Sequence, residues 1–274
     1  MFFSAMQIEQ IEEVLVETIE LQSQSMQRMV KIDFYQHGSV EETNLLLFND
    51  GQDLVTMNFK KIFENFYKAN PGRPVLVVGI HCGDDRKNEY GMSVAPNFEG
   101  LGAKASLYEH FIIDELLPFI YSRFHHLRFK EAAFAGFSLG GLSALDIAWN
   151  NPAIFSRTGI FSGSLWWRSV NKDDKEYDQH IHRMMHLQVR NDDYRAGLKF
   201  FFECGEQDEW EDRNRNGVID SIDDTIDLMR ELIKKGYREG KDIYYLQMPD
   251  GKHNVESWAK AMPAFLKWGW GKAV

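Results

Sequence analysis

The sequence predicts an α/β protein with a doubly wound, mostly parallel sheet and helices on both faces. Short apolar runs alternate with helical patterns along the chain, which is typical of this class. Asn44 to Phe48 and Pro74 to Ile80 are apolar enough for strands that are buried on both faces. Between these two strands, one face of a predicted helix carries Phe59, Ile62, Phe63 and Phe66.

Further elements are predicted on either side of this unit. Glu13 to Leu21 and Met29 to Tyr35 alternate apolar and polar residues, and they predict an opening pair of strands. Ser106 and Glu109 have the spacing of a capping box, which predicts a helix from there to about Phe124. The long polar segment from Cys82 to Lys104 is expected to lie near a functional face.

Length, charge and cysteine content limit the classes of function. The 274 residues fit a single α/β domain over 1–274, and the net charge of −10 argues against binding to nucleic acid or to an anionic membrane. No apolar stretch approaches the length of a membrane span. Met1 to Met6 lack the basic and apolar regions of a signal peptide, so a cytoplasmic protein is expected. Cys82 and Cys204 are expected to be free thiols, and the oligomeric state stays open.

One short motif suggests chemistry. Phe134 to Gly141 places Ser138 inside G-x-S-x-G, between an apolar run and a helix-like segment. A serine on a sharp strand-to-helix turn exposes its hydroxyl above the sheet, which makes Ser138 a candidate nucleophile. By itself the motif is also compatible with an ordinary turn of small residues.

The remaining members of a catalytic triad follow in the order that an α/β-hydrolase fold requires. The apolar run Leu198 to Gly205 predicts a strand, and Asp208 lies three residues beyond its last glycine. Ile243 to Met248 predicts the last strand, followed by a loop over Pro249 to Asn254 that carries His253. The chain order is therefore serine, acid, histidine. Three glutamates on the same loop compete for the role of the acid: Glu206, Glu209 and Glu211.

Several further segments match one known family: Leu45 to Gln52, Arg86 with Glu89-Tyr90, Glu115 to Ile120, Ser162 to Trp167, and Gly251 to His253 with Trp258. Through these segments the chain resembles the esterase family of α/β-hydrolases that includes esterase D, enterobactin-type siderophore esterases, feruloyl esterases and mycolyltransferases. The siderophore and feruloyl branches are the most similar in motif. The resemblance implies the α/β-hydrolase fold and acyl-ester chemistry, but it identifies no substrate.

The expected mechanism is ester hydrolysis through an acyl-enzyme. The backbone N–H of Leu139 and a second N–H near Gly51 or Gln52 are expected to bind the oxyanion. We assign Arg86 to substrate binding. Two tryptophans that follow a predicted strand could line a substrate cleft or belong to the core: Trp166 and Trp167.

A second motif follows the proposed acid. Asp212 to Asp223 matches a twelve-residue calcium loop, with glycine at position 6 and an apolar residue at position 8. It predicts one structural calcium ion in an insertion at about residues 209–224, although a solvated acidic loop is the alternative. Asp223 replaces the usual glutamate at position 12, which should weaken the site. The expected ligands are Asp212, Asn214, Asn216, Asp220 and Asp223 through side chains and Val218 through its carbonyl.

The sequence therefore predicts a serine hydrolase of carboxylic esters that acts on a small-molecule or sugar-linked ester. No organic cofactor is expected. Two alternatives stay open. An acyltransferase would use the same three residues with an alcohol acceptor, and a calcium-dependent binding module would use none of them for catalysis.

Overall fold

The computed structural model describes residues 13–38, 41–70 and 74–271. Met1 to Met6, on which the expectation about a signal peptide depends, lie outside the described residues. Within the described ranges, no helix combines the length and apolarity needed to cross a membrane. Both cysteines are free, as expected.

The described residues form one eight-stranded sheet with the strand order β1-β2-β4-β3-β5-β6-β7-β8. The first two strands form an antiparallel hairpin, and β2 also pairs antiparallel with β4. All the other neighbours are parallel, so the sheet is mostly parallel, as predicted. The strands are β1 (Val14–Ser23), β2 (Arg28–His37), β3 (Glu42–Asn49), β4 (Val75–Ile80), β5 (Arg128–Phe137), β6 (Phe155–Phe161), β7 (Lys199–Gln207) and β8 (Ile243–Lys252).

Helices cover both faces of this sheet. In chain order they are α1 (Gly51–Thr56), α2 (Phe59–Ala69), α3 (Arg86–Glu89), α4 (Ala105–His110), a π-helical segment (Phe111–Leu116), α5 (Leu117–Arg123), α6 (Leu139–Asn150), α7 (Gln179–His182), α8 (Met184–Asn191), α9 (Asp220–Lys235) and α10 (Val255–Trp270).

Two hydrophobic clusters lie on opposite faces of the sheet. Successive side chains of a strand point to opposite faces, so Leu45 and Leu47 join one cluster while Leu46 and Phe48 join the other. The first cluster includes residues of α4 to α6, α8 and α9, and the second includes residues of α2 and α10. This arrangement leaves the carboxyl ends of the parallel strands at one common edge, where ligands of open α/β sheets bind.

Two local predictions are wrong. Ser106 does not cap a helix, because the helix already begins at Ala105 and Ser106 lies inside it. The predicted loop over Pro249 to Asn254 is also too long. The last strand continues to Lys252 and pairs there with Gln207 after an irregularity in the register.

Candidate active site

Ser138 lies in the sharp turn between β5 and α6, with φ 53° and ψ −121°. A positive φ is uncommon for a residue with a side chain, and such strained residues concentrate at functional sites. The Ser138 N–H donates to the Phe161 carbonyl at 2.8 Å, which holds the turn against β6. Gly136 makes the turn possible, because a Cβ at this position would lie 2.4 Å from the Gly140 carbonyl oxygen.

Two helices begin beside this turn. Leu139 is the first residue of α6, and Gly51 and Gln52 are the first two residues of α1. The first N–H groups of a helix have no partner within it, so they can bind a developing negative charge. The two helix starts are joined by the Asn49 side-chain amide, which donates to the Gly140 carbonyl at 2.8 Å. All three predicted oxyanion N–H groups therefore belong to neighbouring helix starts.

Arg86 contacts the residues that directly precede α1 and Ser138. Its guanidinium forms two hydrogen bonds with the buried Asp50 carboxylate, both at 2.7 Å, and a longer one to the Phe137 carbonyl at 3.4 Å. Asp50 itself has a left-handed conformation directly before α1. The side chain keeps 28% of its surface exposed, so the assignment of Arg86 to substrate binding stays a prediction beside these contacts.

Asp208 directly follows β7 and is half-buried. The Gly205 N–H donates to Asp208 Oδ2 at 3.2 Å, and within the described residues Oδ1 has no hydrogen-bond partner. Burial raises the pKa of Asp208, while the Ser162 hydroxyl, the Gly205 N–H and His253 lower it in part.

The three competing glutamates have partners elsewhere. Glu206 accepts a hydrogen bond from the Gln247 amide at 2.8 Å, and Glu209 accepts one from the Ser221 N–H at 2.5 Å. Glu211 forms an ion pair with Lys172. Asp208 is the acid whose charge acts on His253. This geometry favours Asp208 over the glutamates as the orienting acid.

His253 lies at the surface directly after β8. Partial loss of water around the ring lowers the pKa of His253. Arg86 lowers it further, and Asp208 raises it. A lowered pKa leaves the imidazole neutral at neutral pH, as a general base requires. The ring lies edge-on to the Trp258 indole, with centroids 5.4 Å apart.

Contacts around Trp258 connect the serine, the acid and the histidine. The indole stacks on Phe137, which directly precedes Ser138, at a centroid distance of 4.8 Å. Its Nε1 donates to Ser162 Oγ at 2.9 Å, and hydrogen bonding by Ser162 in turn lowers the pKa of Asp208. Within the described residues, the Ser138 hydroxyl has one hydrogen-bond partner, Ser164 Oγ at 3.4 Å. Catalytic hydrogen bonds often tighten only when substrate binds.

The two candidate tryptophans have different environments. Trp167 is 1% exposed, and its indole packs against Gly91 and Gly102, where any Cβ would lie 2.9 Å from its Cζ2 atom. Trp167 is thus a core residue, and its assignment to substrate binding is corrected for that reason. Trp166 is half-buried, with the Arg168 guanidinium carbon 5.6 Å from its ring centroid. Only Trp166 has surface that a substrate could contact.

The predicted calcium loop follows β7 and ends in the first turn of α9, and hydrogen bonds from its own side chains close it. Asp212 accepts hydrogen bonds from the N–H groups of Asn216 and Gly217 at 3.1 and 2.9 Å. The amides of Asn214 and Asn216 both donate to Asp223 Oδ2, at 2.8 and 2.9 Å. The loop positions 1, 3, 5 and 12 are therefore linked to one another by hydrogen bonds.

The fifth side-chain ligand does not join this group. Asp220 is buried and accepts a hydrogen bond from the Arg213 N–H at 2.8 Å, and the Arg213 guanidinium lies 3.4 Å away. Across the described ranges, no three side chains of His, Cys, Asp or Glu lie together in a way that could hold a metal ion. A cation at this loop would depend on two carboxylates and on amide and carbonyl oxygens.

Sequence reasoning missed four residues that contact the proposed triad or its neighbours: Asp50, Ser162, Ser164 and Glu203. Ser162 is the first residue after β6 and has φ 45°, so it lies in a turn comparable to that of Ser138. Glu203 is the lone acid in an aromatic stretch of β7, which is a recognisable signal for a buried carboxyl group. Asp50 and Ser164 carry no such signal.

The comparisons with known proteins agree with this geometry. Residues 23–268 match the family model described as "Putative esterase". No curated protein matches the sequence. Among solved structures, the enterobactin esterase FES from Shigella flexneri, determined with enterobactin, has a TM-score of 0.69 at 19% identity. The match covers 94% of this chain and 59% of that one.

In two further structures, the match covers a larger share of the other protein's chain. A ferulic acid esterase has a TM-score of 0.67 at 16% identity, with 93% of this chain and 97% of that chain covered. An IroE-like serine hydrolase from Shewanella oneidensis has a TM-score of 0.67 at 19% identity, with 92% and 80% covered. These likenesses show the α/β-hydrolase fold, and the family match covers most of the chain. The chain belongs to this esterase family.

Proposed function

We propose that this protein hydrolyses carboxylic esters, with Ser138 as the nucleophile, His253 as the general base and Asp208 as the acid that orients the histidine. The observation that carries the proposal is the strained backbone of Ser138 in the turn from β5 to the start of α6, at the carboxyl edge of the sheet. Asp208 directly follows β7 and His253 directly follows β8, at the same edge of the sheet. These positions support the other two roles.

The reaction follows from these roles. The neutral imidazole of His253 removes the proton from Ser138 Oγ as this oxygen attacks the ester carbonyl. The N–H of Leu139 and one N–H from Gly51 or Gln52 stabilise the oxyanion. His253 then protonates the leaving alcohol. In the second half of the reaction, His253 removes a proton from the water that attacks the acyl carbonyl, and it returns this proton to Ser138 Oγ as the acid is released.

We assign the contact between Ser138 and Ser164 to the enzyme without bound substrate. Because the hydroxyls lie 3.4 Å apart, Ser164 holds the nucleophile while no substrate is bound. The Ser138 hydroxyl must turn from Ser164 toward His253 before it can be deprotonated.

A serine-directed fluorophosphonate tests the nucleophile directly. We expect labelling of the native protein and of Ser164→Ala, and no labelling of Ser138→Ala. Ser164→Ala is the matched control, because it removes the neighbouring hydroxyl and keeps the turn. Ser138→Ala should also reduce ester turnover by roughly 10⁴- to 10⁶-fold. Full activity of a folded Ser138→Ala protein would exclude this mechanism.

The substrate needs a separate experiment. Enterobactin and ferulic-acid esters are the first candidates, because the names of the similar structures mention them. Short acyl esters and acetylated sugars complete the panel. Product analysis with added sugar alcohols separates water from an alcohol as acceptor and so detects an acyltransferase. A protein that neither reacts with the phosphonate nor turns over any ester would be a binding module.

We also propose that the loop from Asp212 to Asp223 binds one calcium ion with a structural role. Support comes from the linked side chains of Asp212, Asn214, Asn216 and Asp223 and from Gly217, whose φ is 83° at the sharp turn. Binding would replace the two amide donors at the Asp223 carboxylate by the cation. With Asp220 engaged by Arg213, the affinity should be lower than that of a loop with a full ligand set.

Thermal unfolding with chelator and with added calcium tests this second proposal. Metal that binds the folded state raises the melting temperature by mass action. Asp223→Ala should abolish the calcium-dependent shift, whereas Asp220→Asn should retain part of it. The same melting temperature with calcium and with chelator would exclude the site, whatever the esterase activity.

A further inference from the structure

A buried glutamate lies beneath the proposed acid of the triad. Glu203 is on β7, five residues before Asp208, and is 1% exposed. Its backbone carbonyl accepts a hydrogen bond from the Ser162 N–H at 2.8 Å. Its side-chain Oε2 lies 3.5 Å from Ser162 Oγ, and within the described residues Oε1 has no hydrogen-bond partner. A carboxyl group so placed is far more stable in its neutral form.

The Ser162 hydroxyl lies between two carboxyl groups. Ser162 is 2% exposed, its Oγ lies 3.5 Å from Glu203 Oε2, and hydrogen bonding by Ser162 lowers the pKa of Asp208. Trp258 Nε1 donates to its oxygen at 2.9 Å. A serine hydroxyl offers one hydrogen and two acceptor sites, so one acceptor site and the single hydrogen remain for the two carboxyl groups.

This limit determines how the three groups can share their hydrogens. If both carboxyl groups were ionised, both would need the one hydrogen of Ser162, and two negative charges would lie close together away from water. If Glu203 is a neutral acid, its own hydrogen fills the second acceptor site of Ser162. The Ser162 hydrogen is then available to the Asp208 carboxylate. Of these two arrangements, only the second gives each carboxyl group its own hydrogen bond with Ser162.

We propose that Glu203 is a positioning residue of the triad: as a neutral acid it donates to Ser162, and Ser162 then donates to Asp208. This inference rests on the proposed triad and adds a condition to it. Asp208 keeps its charge and its orientation toward His253 only while Glu203 is protonated.

The surroundings of Glu203 keep it protonated at neutral pH. Burial raises the pKa of Glu203 to about 8, the Asp208 charge adds to the shift, and Ser162 opposes it. The other titratable groups that interact with it electrostatically are the Cys204 thiol on the same strand and the Tyr245 hydroxyl on β8. Burial raises the pKa of both groups, so each is neutral together with Glu203. His253 reaches this group of side chains through Asp208.

The consequence is a loss of activity at alkaline pH. As the pH rises through about 8, Glu203 ionises and competes with Asp208 for the Ser162 hydrogen. The added negative charge also raises the pKa of His253. The imidazolium that forms during the reaction is then a weaker acid and protonates the leaving alcohol less readily. We expect kcat to fall by roughly tenfold across this range, because small displacements of a positioned group lower the rate strongly.

Profiles of kcat against pH test the proposal in the wild-type protein and in Glu203→Gln. The glutamine amide donates to Ser162 at every pH, so the variant should keep most of the neutral-pH rate and lose the decrease near pH 8. Glu203→Leu supplies no donor and should be slow at neutral pH as well. Glu206→Gln is the matched control, since Glu206 is an exposed acid three residues further along the chain. It should keep the wild-type profile.

Two results would overturn the proposal. One is a decrease near pH 8 that persists unchanged in Glu203→Gln, and the other is a folded Glu203→Leu protein with the wild-type rate at pH 7. Infrared difference spectra keep this test separate from the proposed function. They should show a protonated-carboxyl band in the wild-type protein at pH 7 that is missing from Glu203→Gln, even if no ester is turned over. Absence of that band would refute a neutral Glu203, whereas its presence with no turnover would count against the triad alone.

Discussion

Glu203 should also control how the stability of the protein depends on pH. Its pKa is raised from 4.5 to about 8 in the folded state, so the folded protein keeps a proton that the unfolded chain releases. Below pH 4.5 both states are protonated and the group contributes nothing. Between pH 4.5 and about 8 the free energy of unfolding falls as the pH rises, by up to about 1.4 kcal/mol per pH unit.

Glu203→Gln removes this dependence, because glutamine does not titrate. The variant should gain stability relative to the wild-type protein as the pH increases from 5 to 7.5. The full difference corresponds to an upper limit of roughly 5 kcal/mol, obtained from the raised pKa at 1.36 kcal/mol per unit. The sign and the slope are the decisive observations, since the amide and the acid also differ in packing.

Urea unfolding at pH 5, 6, 7 and 8 measures this slope. The free energies of wild-type protein, Glu203→Gln and Glu206→Gln are compared at each pH. The Glu206→Gln curve should run parallel to that of the wild-type protein, since Glu206 is exposed and its hydrogen bond to Gln247 lies outside the buried group. Parallel curves for Glu203→Gln and the wild-type protein would refute the buried neutral acid.

Two further predictions concern the acid and the turn. Asp208→Asn should lower kcat by roughly 10³- to 10⁴-fold by favouring the wrong histidine tautomer, while Glu206→Gln changes it little in the same assay. A greater loss in Glu206→Gln would reassign the acid. Gly136→Ala should lower the free energy of unfolding by about 1–3 kcal/mol, because its Cβ would overlap the Gly140 carbonyl. Gly269→Ala in α10, where nothing lies within 4 Å of an added Cβ, should show no loss by the same denaturation assay.

The turn and the strands could be predicted because their causes are local. Two glycines around Ser138 and an apolar run before it are sufficient to indicate a strand followed by a tight turn. Continuous apolar runs such as Leu45 to Phe48 indicate strands buried on both faces, and the structure places them so. The order of serine, acid and histidine could likewise be predicted, because it follows from the order of the strands.

The failures have causes that are not local. Pro249 and Gly251 suggest a loop, but Gly251 lies so close to Gly205 that a Cβ on either residue would overlap the other strand. That close approach extends β8 to Lys252. A tryptophan such as Trp167 is a residue type that often binds ligands, so the sequence alone leaves its role open. The packing of Gly91 and Gly102 against its indole, which is visible only in the structure, shows that it is buried.

The charges at the catalytic edge suggest why the buried acids differ in their partners. Asp50 lies beside α1, and Arg86 neutralises it through two hydrogen bonds. Glu203 lies on β7, and no cation among the described residues pairs with it, so protonation is the remaining way to neutralise it. Asp208 is then the one carboxylate of the three whose charge is free to act on His253. A second uncompensated anion would raise the pKa of His253, and a histidine that is already protonated cannot accept the proton of Ser138.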